Sequence, residues 1–192
     1  MRVRIAFKVI VVMLITMVEM KAQTFDLQKE DISLTVDGTS NIHDWQLQAV
    51  NISGVIDVEF SDENFGKITR LEVTVPSEGL KSGKKSMDKN IYKALHTTQY
   101  PEICFRLKSV KKFEKVSANN YHILLEGFLK IAGTERLIQV PVNLTQDKNN
   151  HNISGELALN MTDYKIEPPS ALFGTIKTGD RVVVKFELSS KK

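Results

Sequence analysis

The sequence predicts an all-β fold, an antiparallel β-barrel of about eight strands with one amphipathic helix inserted between two of them. Apolar residues recur at every second position from residue 31 onward, which is the period of a half-buried strand. Short segments rich in turn-forming residues separate the later runs, which favours antiparallel hairpins over parallel crossovers. One stretch breaks this period and has helical spacing instead.

Residues 1–22 are predicted to be a secretory signal peptide rather than part of the fold. Three basic residues precede an apolar run over 9–18, and Ala22 supplies a small residue for cleavage. The apolar run is short for a membrane span, and we expect no transmembrane segment in the mature chain. We therefore expect a periplasmic or secreted protein whose single domain occupies residues 23–192.

Composition and charge argue against several classes of function. The chain has 26 Lys and Arg against 23 Asp and Glu, and removing residues 1–22 leaves 22 of each. A neutral domain lacks the basic excess typical of nucleic-acid binding, so no nucleic-acid partner is predicted. The single cysteine, Cys104, cannot form an internal disulfide. Together with the four histidines it shows no metal-ligand spacing, so no metal site is predicted.

The eight predicted strands follow in chain order. They cover residues 31–36, 45–60, 67–75, 103–108, 121–131, 137–144, 151–160 and 181–188. The run over 45–60 is long, and long bent strands suit a closed sheet, which favours a barrel over the competing β-sandwich. Hairpin turns are predicted at 117–120, 132–134 and 147–150.

The inserted helix is predicted over Ser86–His96. Met87, Ile91 and Leu95 fall on one face, with Ser86 as N-cap and Asp88 in the first turn, where the helix dipole favours an acid. We expect this helix to close one end of the barrel.

Four segments of the chain carry a wider resemblance. They are Gly38-Thr39-Ser40-Asn41-Ile42-His43-Asp44-Trp45, then Met87-Asp88 leading to Tyr100-Pro101-Glu102-Ile103-Cys104-Phe105, then Gly127–Gly133, and finally Met161-Thr162-Asp163-Tyr164 through Pro168-Pro169 to Gly179-Asp180. In order and spacing they resemble the YceI-like family. The resemblance implies a lipocalin-like eight-stranded barrel, an exported bacterial protein and an elongated apolar lumen that in some members holds a polyisoprenoid. It also implies a possible homodimer.

His43, Asp44 and Trp45 bring an imidazole, a carboxylate and the single tryptophan together. Neighbours in a strand point to opposite faces, so His43 and Asp44 cannot simply pair. Three interpretations stay open, namely a structural bend, ligand contact at the barrel mouth, and catalysis by His43. The sequence shows no nucleophile with a base beside it, and we predict no catalytic residue and no enzyme activity.

Lys81, Lys84 and Lys85 precede the helix and are the candidate site for an anionic head group. The surrounding Ser82–Ser86 stretch mimics the end of a phosphate loop but has Glu78 where that motif needs glycine. A helix N-terminus favours anions, so this loop is a candidate landing place for a phosphate. A merely solvated basic loop is the alternative.

The connection over 168–177 contains apolar residues where turn-forming residues are expected. Leu172, Phe173 and Ile176 are the clearest examples. Apolar residues in a connection usually cover something. A plug for the barrel end, a lid over a ligand and a dimer contact are the three possibilities.

The predicted function is binding of a hydrophobic small molecule, an isoprenoid or another lipid, in the barrel lumen without chemistry and without a cofactor. The candidate ligand-binding residues are His43, Trp45, Met87, Ile91, Leu95, Phe105, Leu125, Val140, Leu157, Tyr164, Leu172, Phe173 and Val184. A structural or stress-related envelope protein with a filled barrel core is the first alternative. A hydrolase that uses His43 is the second.

Overall fold

The computed structural model describes residues 21–61, 64–147, 150–171 and 174–191, and most of them lie in β-strands. These ranges contain twelve strands and one α-helix. In chain order they are β1 (Lys21–Asp26), β2 (Asp31–Ser40), β3 (Trp45–Ala49), β4 (Ser53–Ser61), β5 (Asn64–Pro76), β6 (Leu80–Lys81), α1 (Lys85–Leu95), β7 (Glu102–Lys115), β8 (Asn120–Ile131), β9 (Thr134–Asp147), β10 (Asn150–Asn160), β11 (Ser170–Ala171) and β12 (Ile176–Lys191). Two short 3-10 helices cover Ser77–Gly79 and Met161–Tyr164.

The strands form one antiparallel sheet in the order β1-β4-β5-β7-β8-β9-β10-β12-β2-β3-β6, and β11 pairs with β12. The sheet curls on itself, because side chains from both halves of this path line one central cavity. The predicted hairpins appear as the β7–β8, β8–β9 and β9–β10 pairs. The predicted all-β antiparallel class with one inserted helix is confirmed.

The prediction of one continuous strand over 45–60 is wrong. The structure divides it into β3 and β4, because Asn51 adopts a left-handed backbone conformation with a φ of 59° between them. The strand count also exceeds eight for two further reasons. β6 and β11 are strands of only two residues each, and β1 was not predicted. Lys21 and Ala22 pair with β4, so cleavage after Ala22 would remove the first two residues of β1.

The helix begins one residue earlier than predicted, and its cap differs. Lys84 is the N-cap and makes no side-chain capping hydrogen bond, while Ser86 lies inside the first turn. The Asp88 carboxylate instead accepts hydrogen bonds from the backbone N–H of Ser82 at 2.8 Å and from its Oγ at 2.6 Å. These bonds fasten the lysine-rich loop to the first turn and lower the pKa of Asp88.

The interior has two packed regions. The far cluster, at the end of the barrel opposite the helix, includes Val58, Tyr121 and Leu144, which are 1–3% exposed. The helix-end cluster packs Ile91 and Leu95 of α1 with the barrel wall, including Leu47, Tyr164 and Ile166. Among the described residues, no helix has both the length and the apolar character needed to span a bilayer.

Candidate functional site

An apolar cavity of about 660 Å³ lies inside the curled sheet. Its wall takes alternate residues from the strands, as Val182, Val184, Phe186 and Leu188 of β12 illustrate, because successive side chains of a strand face opposite sides. Cavities that hold small molecules in proteins usually measure about 300–1,000 Å³. The interior of this barrel is therefore large enough for a ligand rather than filled by its own side chains.

The strand residues predicted to bind ligand all line this cavity. Leu125 and Val140 are paired across β8 and β9 and are buried in the far cluster. Leu157 and Val184 are paired across β10 and β12 and are only half-buried, as is Phe105 on β7. Half-buried apolar side chains that face inward leave apolar surface exposed within the protein, and covering that surface favours an apolar ligand.

The inner face of α1 forms part of the cavity wall. Met87, Ile91 and Leu95 line it as predicted, and Asn90 and Ala94 join them on the same face. Their spacing of three and four residues places all five on one side of the helix. The helix therefore covers the cavity with an apolar stripe that includes one amide.

Two glycines leave room for aromatic rings of the cavity wall. A Cβ at Gly155 would lie 2.3 Å from Cζ of Phe186, and one at Gly127 would lie 2.4 Å from Cζ of Phe105. Both phenylalanines line the cavity, so larger residues at these glycines would displace the rings.

Polar lining residues concentrate at the helix end of the barrel and form what we term the rim. The rim consists of Ser40, His43, Lys84, Ser86, Asn90, Asn160, Ser170 and Thr178. All lie in α1, in connections or near the strand ends beside it. Apart from His43 and Lys84, none of these residues is predicted from the sequence to belong to the site. Asn90 was detectable in principle, because it follows Met87 by three residues on the predicted apolar face.

The structure brings only one of the three candidate head-group lysines to the cavity. Lys84 lines the rim, whereas Lys81 and Lys85 are exposed and do not line it. The Lys81 ammonium donates a hydrogen bond to the Tyr92 hydroxyl, which raises the pKa of Lys81, and it lies 5.0 Å from the centroid of that ring. No carboxylate of the described residues lines the cavity, so Lys84 gives its rim a positive bias.

His43 lies on the rim beside Ser40, a contact that the sequence analysis did not anticipate. The Ser40 Oγ lies 3.3 Å from Nδ1 of His43, yet it donates its proton to the His43 backbone carbonyl at 2.7 Å and accepts the His43 N–H at 3.2 Å. These bonds give Ser40 a structural part in the turn that follows β2. Trp45 also lines the cavity, and its Nε1 donates to the Thr39 carbonyl at 3.0 Å.

The 168–177 segment lies at the same end as α1. Pro169, Ser170 and Ile176 line the cavity, whereas Leu172 and Phe173 lie outside the described residues. Asn41 fastens the segment, because its Nδ2 donates to the Thr175 carbonyl at 2.8 Å and its Oδ1 accepts the Lys177 N–H at 2.9 Å. This position agrees with a plug or a lid, and the dimer contact stays a prediction.

Tyr164 lines the cavity from the short 3-10 helix after β10. It is 2% exposed, and its Oη has no hydrogen-bond partner among the described residues. Burial raises the pKa of Tyr164 to about 12. The phenol therefore keeps its proton at neutral pH.

The described part of the chain contains no group of three or more His, Cys, Asp or Glu side chains placed to hold a metal ion. Cys104 is a half-buried free thiol whose Sγ lies 3.9 Å from the Thr74 Oγ1. Neither observation adds a reactive group to the cavity.

Comparisons with known proteins agree with this architecture. A family model for the YceI-like domain matches residues 23–190. Among solved structures, Burkholderia cenocepacia BcnA has a TM-score of 0.65 at 17% identity and covers 86% of this chain and 98% of its own. A polyisoprenoid binding domain from Saccharophagus degradans, implicated in plant cell wall breakdown, has a TM-score of 0.64 at 11% identity over 90% of this chain and 99% of its own.

The Campylobacter jejuni YceI protein has a TM-score of 0.56 at 18% identity and covers 80% of this chain and 84% of its own. At these identities the structural likeness shows the fold alone. No curated protein sequence matches the chain.

Proposed function

We propose, from the premise that the chain belongs to the YceI-like family, that it is an exported, non-enzymatic protein that binds an isoprenoid or another long apolar molecule in its barrel lumen. The observation that carries the proposal is the cavity of about 660 Å³ and its apolar wall. Half-buried residues such as Phe105, Leu157 and Val184 bury further apolar surface when such a molecule enters.

A solved structure with the same fold supports an isoprenoid as the class of ligand. The relative from Saccharophagus degradans is described as a polyisoprenoid binding domain. An isoprenoid chain is long, narrow and apolar, and the cavity wall offers it few polar partners below the rim. The proposed ligand therefore lies with its apolar chain among the strand residues and its polar end toward the rim.

Export is proposed on the basic and apolar pattern of residues 1–22. A cleaved chain would be delivered to the periplasm or the medium. Edman sequencing or mass spectrometry of protein secreted by the native host is expected to find a mature N-terminus near Gln23.

The first test asks whether the lumen holds the ligand. Protein purified from its native host is extracted with organic solvent, and the extract is analysed by mass spectrometry for lipids in stoichiometric amount. The double variant Leu157→Phe with Val184→Phe narrows the lumen at a directly paired, half-buried position. Uptake of the extracted lipid is expected to fall about tenfold or more, because added rings occupy the space of the ligand.

Ala158→Phe is the matched control, since Ala158 adjoins Leu157 on β10 but is exposed and does not line the cavity. It is expected to bind as the wild type does. Unchanged uptake by a folded double variant, or an extract without lipid, would contradict the proposal. A filled core with a purely structural role would then become the better explanation.

The second test concerns the head group. Lys84 on the rim and the adjacent helix N-terminus together favour an anion, so a prenyl phosphate is expected to bind more tightly than its alcohol at low salt. Added salt is expected to reduce that difference. Lys84→Ala is expected to abolish most of it, whereas Lys85→Ala, which alters an exposed lysine outside the wall, serves as control.

Equal affinity for phosphate and alcohol, insensitive to salt and to Lys84→Ala, would show that the rim does not receive an anionic head. The apolar-ligand proposal would survive that result, because it rests on the wall rather than on Lys84.

A further inference from the structure

The end of the β7–β8 hairpin projects beyond the part of β7 that β5 covers. In the described part of the chain, β5 pairs with β7 only over Glu102–Arg106, whereas β8 pairs with β7 as far as Lys115. Residues 111–120 are all exposed, although 111–115 still belong to the strand. A strand within a barrel wall buries one of its faces, so the rest of the barrel does not cover this end of β7. We call residues 111–120 the projecting end.

The projecting end and the strand that leads to it carry a local excess of positive charge. Residues 106–120 contain one acidic residue, Glu114, against five basic ones, which are Arg106, Lys108, Lys111, Lys112 and Lys115. Residues 23–192 as a whole have equal numbers of acidic and basic residues, so the excess is local. Such an asymmetry in a neutral domain favours a face that meets a negatively charged partner.

Ion pairs with neighbouring side chains neutralise only part of this charge. Glu126 on β8 is shared by Lys108 at 3.1 Å and Lys111 at 3.8 Å. Glu114 pairs with Lys112. Two carboxylates therefore serve the four lysines of β7, and the projecting end keeps a net positive charge.

Two apolar side chains are exposed among these lysines. Phe113 is 39% exposed and Val116 is 54% exposed, and both lie in the projecting end. Lysines and bulges on an uncovered strand protect it against pairing with other chains, and β7 has two such bulges. That protection explains the lysines, but it does not explain a phenylalanine and a valine in the same exposed segment.

The turn that carries Val116 is fixed by hydrogen bonds. The Val116 backbone N–H donates to the Asn120 carbonyl at 2.9 Å, and the Asn120 Nδ2 donates to the Ser117 Oγ at 2.8 Å. The Asn120 Oδ1 accepts the hydroxyl proton of Thr145 on β9 at 2.9 Å. Because these bonds hold the turn in one conformation, binding through Val116 orders little additional chain.

Lysines interleaved with exposed apolar side chains match the surface of an anionic bilayer. Its phosphate groups attract the lysines, and the boundary between head groups and acyl chains accepts Phe113 and Val116. A soluble polyanion, such as an acidic polysaccharide, pairs with the lysines but leaves both apolar side chains in water. We propose that the projecting end docks on an anionic lipid bilayer, with its two apolar side chains in that boundary and its three lysines against the phosphates.

Docking in this way sets the orientation of the barrel on the bilayer. Lys115 pairs with Tyr121, which belongs to the far cluster, so the projecting end lies at the end opposite the helix. The rim then points away from the bilayer. The inference concerns the outer surface of the barrel and holds whether or not the lumen contains a ligand.

Vesicle sedimentation tests the proposal. Vesicles of equal parts phosphatidylglycerol and phosphatidylcholine are compared with vesicles of phosphatidylcholine alone. Wild type is expected to bind the anionic vesicles about tenfold or more tightly than the neutral ones. Added salt is expected to remove most of the difference, because screening weakens contacts between exposed charges.

Val116→Ser tests the apolar contact. Binding to anionic vesicles is expected to weaken about threefold to tenfold, since the variant loses apolar surface that the bilayer would bury. Ile42→Ser is the matched control, because Ile42 is 60% exposed but lies beside the rim, between Ser40 and His43. It is expected to bind as the wild type does.

The double variant Lys111→Gln with Lys115→Gln tests the charge, since it leaves the ion pairs of Lys108 and Lys112 in place. Binding to anionic vesicles is expected to weaken about tenfold or more. The control removes the same charge from two exposed lysines of α1, through Lys85→Gln with Lys89→Gln. It is expected to keep the binding of the wild type.

A fluorescent label reports the orientation directly. Cys104→Ser removes the native thiol, and nitrobenzoxadiazole is attached at Val116→Cys or, as the control, at Ile42→Cys. On addition of anionic vesicles, emission is expected to rise for the label at 116 and to stay unchanged for the label at 42, because only the first enters the bilayer.

Three results would overturn the proposal. The first is a wild type that does not bind anionic vesicles, or folded Val116→Ser and lysine variants that bind as the wild type does. The second is emission that rises only for the label at 42, which would place the contact at the rim. The third is binding of heparin without binding of vesicles, unaffected by Val116→Ser, which would assign the lysines to a soluble polyanion.

Discussion

The indole ring of Trp45 lies against the backbone of Gly38, its partner across β2 and β3. A Cβ at Gly38 would come within 2.1 Å of Cζ2 of Trp45, so only glycine leaves room for the ring. Because Trp45 lines the cavity, this contact sets the shape of the wall near the rim.

Gly38→Ala is therefore expected to displace Trp45 and to lower the free energy of unfolding by about 1–3 kcal/mol, the usual cost of overpacking. Chemical denaturation followed by circular dichroism measures the loss. The same substitution in a Trp45→Val background is expected to cost much less, because the clash involves the ring alone. Equal costs in both backgrounds would contradict the contact.

Alkaline pH is expected to destabilise the protein through Tyr164. Its pKa rises from 10.0 to about 12 on folding, so between these values the unfolded chain has lost a proton that the folded chain retains. The contribution of Tyr164 to the free energy of unfolding is therefore fully present below about pH 10. It falls by about 1.4 kcal/mol per pH unit as the pH rises toward about 12. Denaturation curves over this range measure the slope, and Tyr164→Phe is expected to remove this share of it. An identical slope in the variant would refute the assignment.

Asn41→Ala is expected to loosen the 168–177 segment. The variant loses the acceptor of the Lys177 N–H and the donor to the Thr175 carbonyl, which together contribute about 1–2 kcal/mol. Hydrogen exchange at the Lys177 amide is expected to accelerate, and a bound lipid to dissociate faster. Ile42→Ala is a suitable control, because Ile42 is 60% exposed. No change in exchange at Lys177 would show that the fastening has little effect.

His43→Ala is expected to remove no turnover. The nearby Ser40 hydroxyl donates to the His43 backbone carbonyl, so it is not poised for activation by the His43 ring. Assays of ester hydrolysis with p-nitrophenyl acetate on wild type, His43→Ala and Ser40→Ala are expected to give the same background rate. Hydrolysis by wild type that disappears in both variants would instead support the hydrolase interpretation.

The sequence predicts the residues of the cavity wall better than those of the rim. Period-two alternation identified Leu157 and Val184 as inward-facing, and helical spacing did the same for Ile91, because burial of one face imposes these periods. Rim residues such as Asn160 and Ser170 carry no period, since loop geometry brings them to the opening.

The structure also differs from the sequence prediction where local backbone geometry interrupts a strand or helix pattern. Asn51 in the left-handed region interrupts an otherwise continuous strand signal. Ser86 has the chemistry of an N-cap, yet the Asp88 bonds to Ser82 set the loop that precedes the helix, which starts one residue earlier. The Tyr164 hydroxyl is a similar case, because no sequence pattern reveals that this buried group has no hydrogen-bond partner among the described residues.

The two ends of the barrel differ, and the difference determines where the proposed ligand would enter and leave. Within the described residues, Leu144, Val58 and Tyr121 pack tightly at the far end, while the polar lining residues lie at the helix end. We therefore expect the proposed ligand to enter and leave at the helix end. A protein that supplied this ligand and one that received it would then have to bind the same end of the barrel, one after the other.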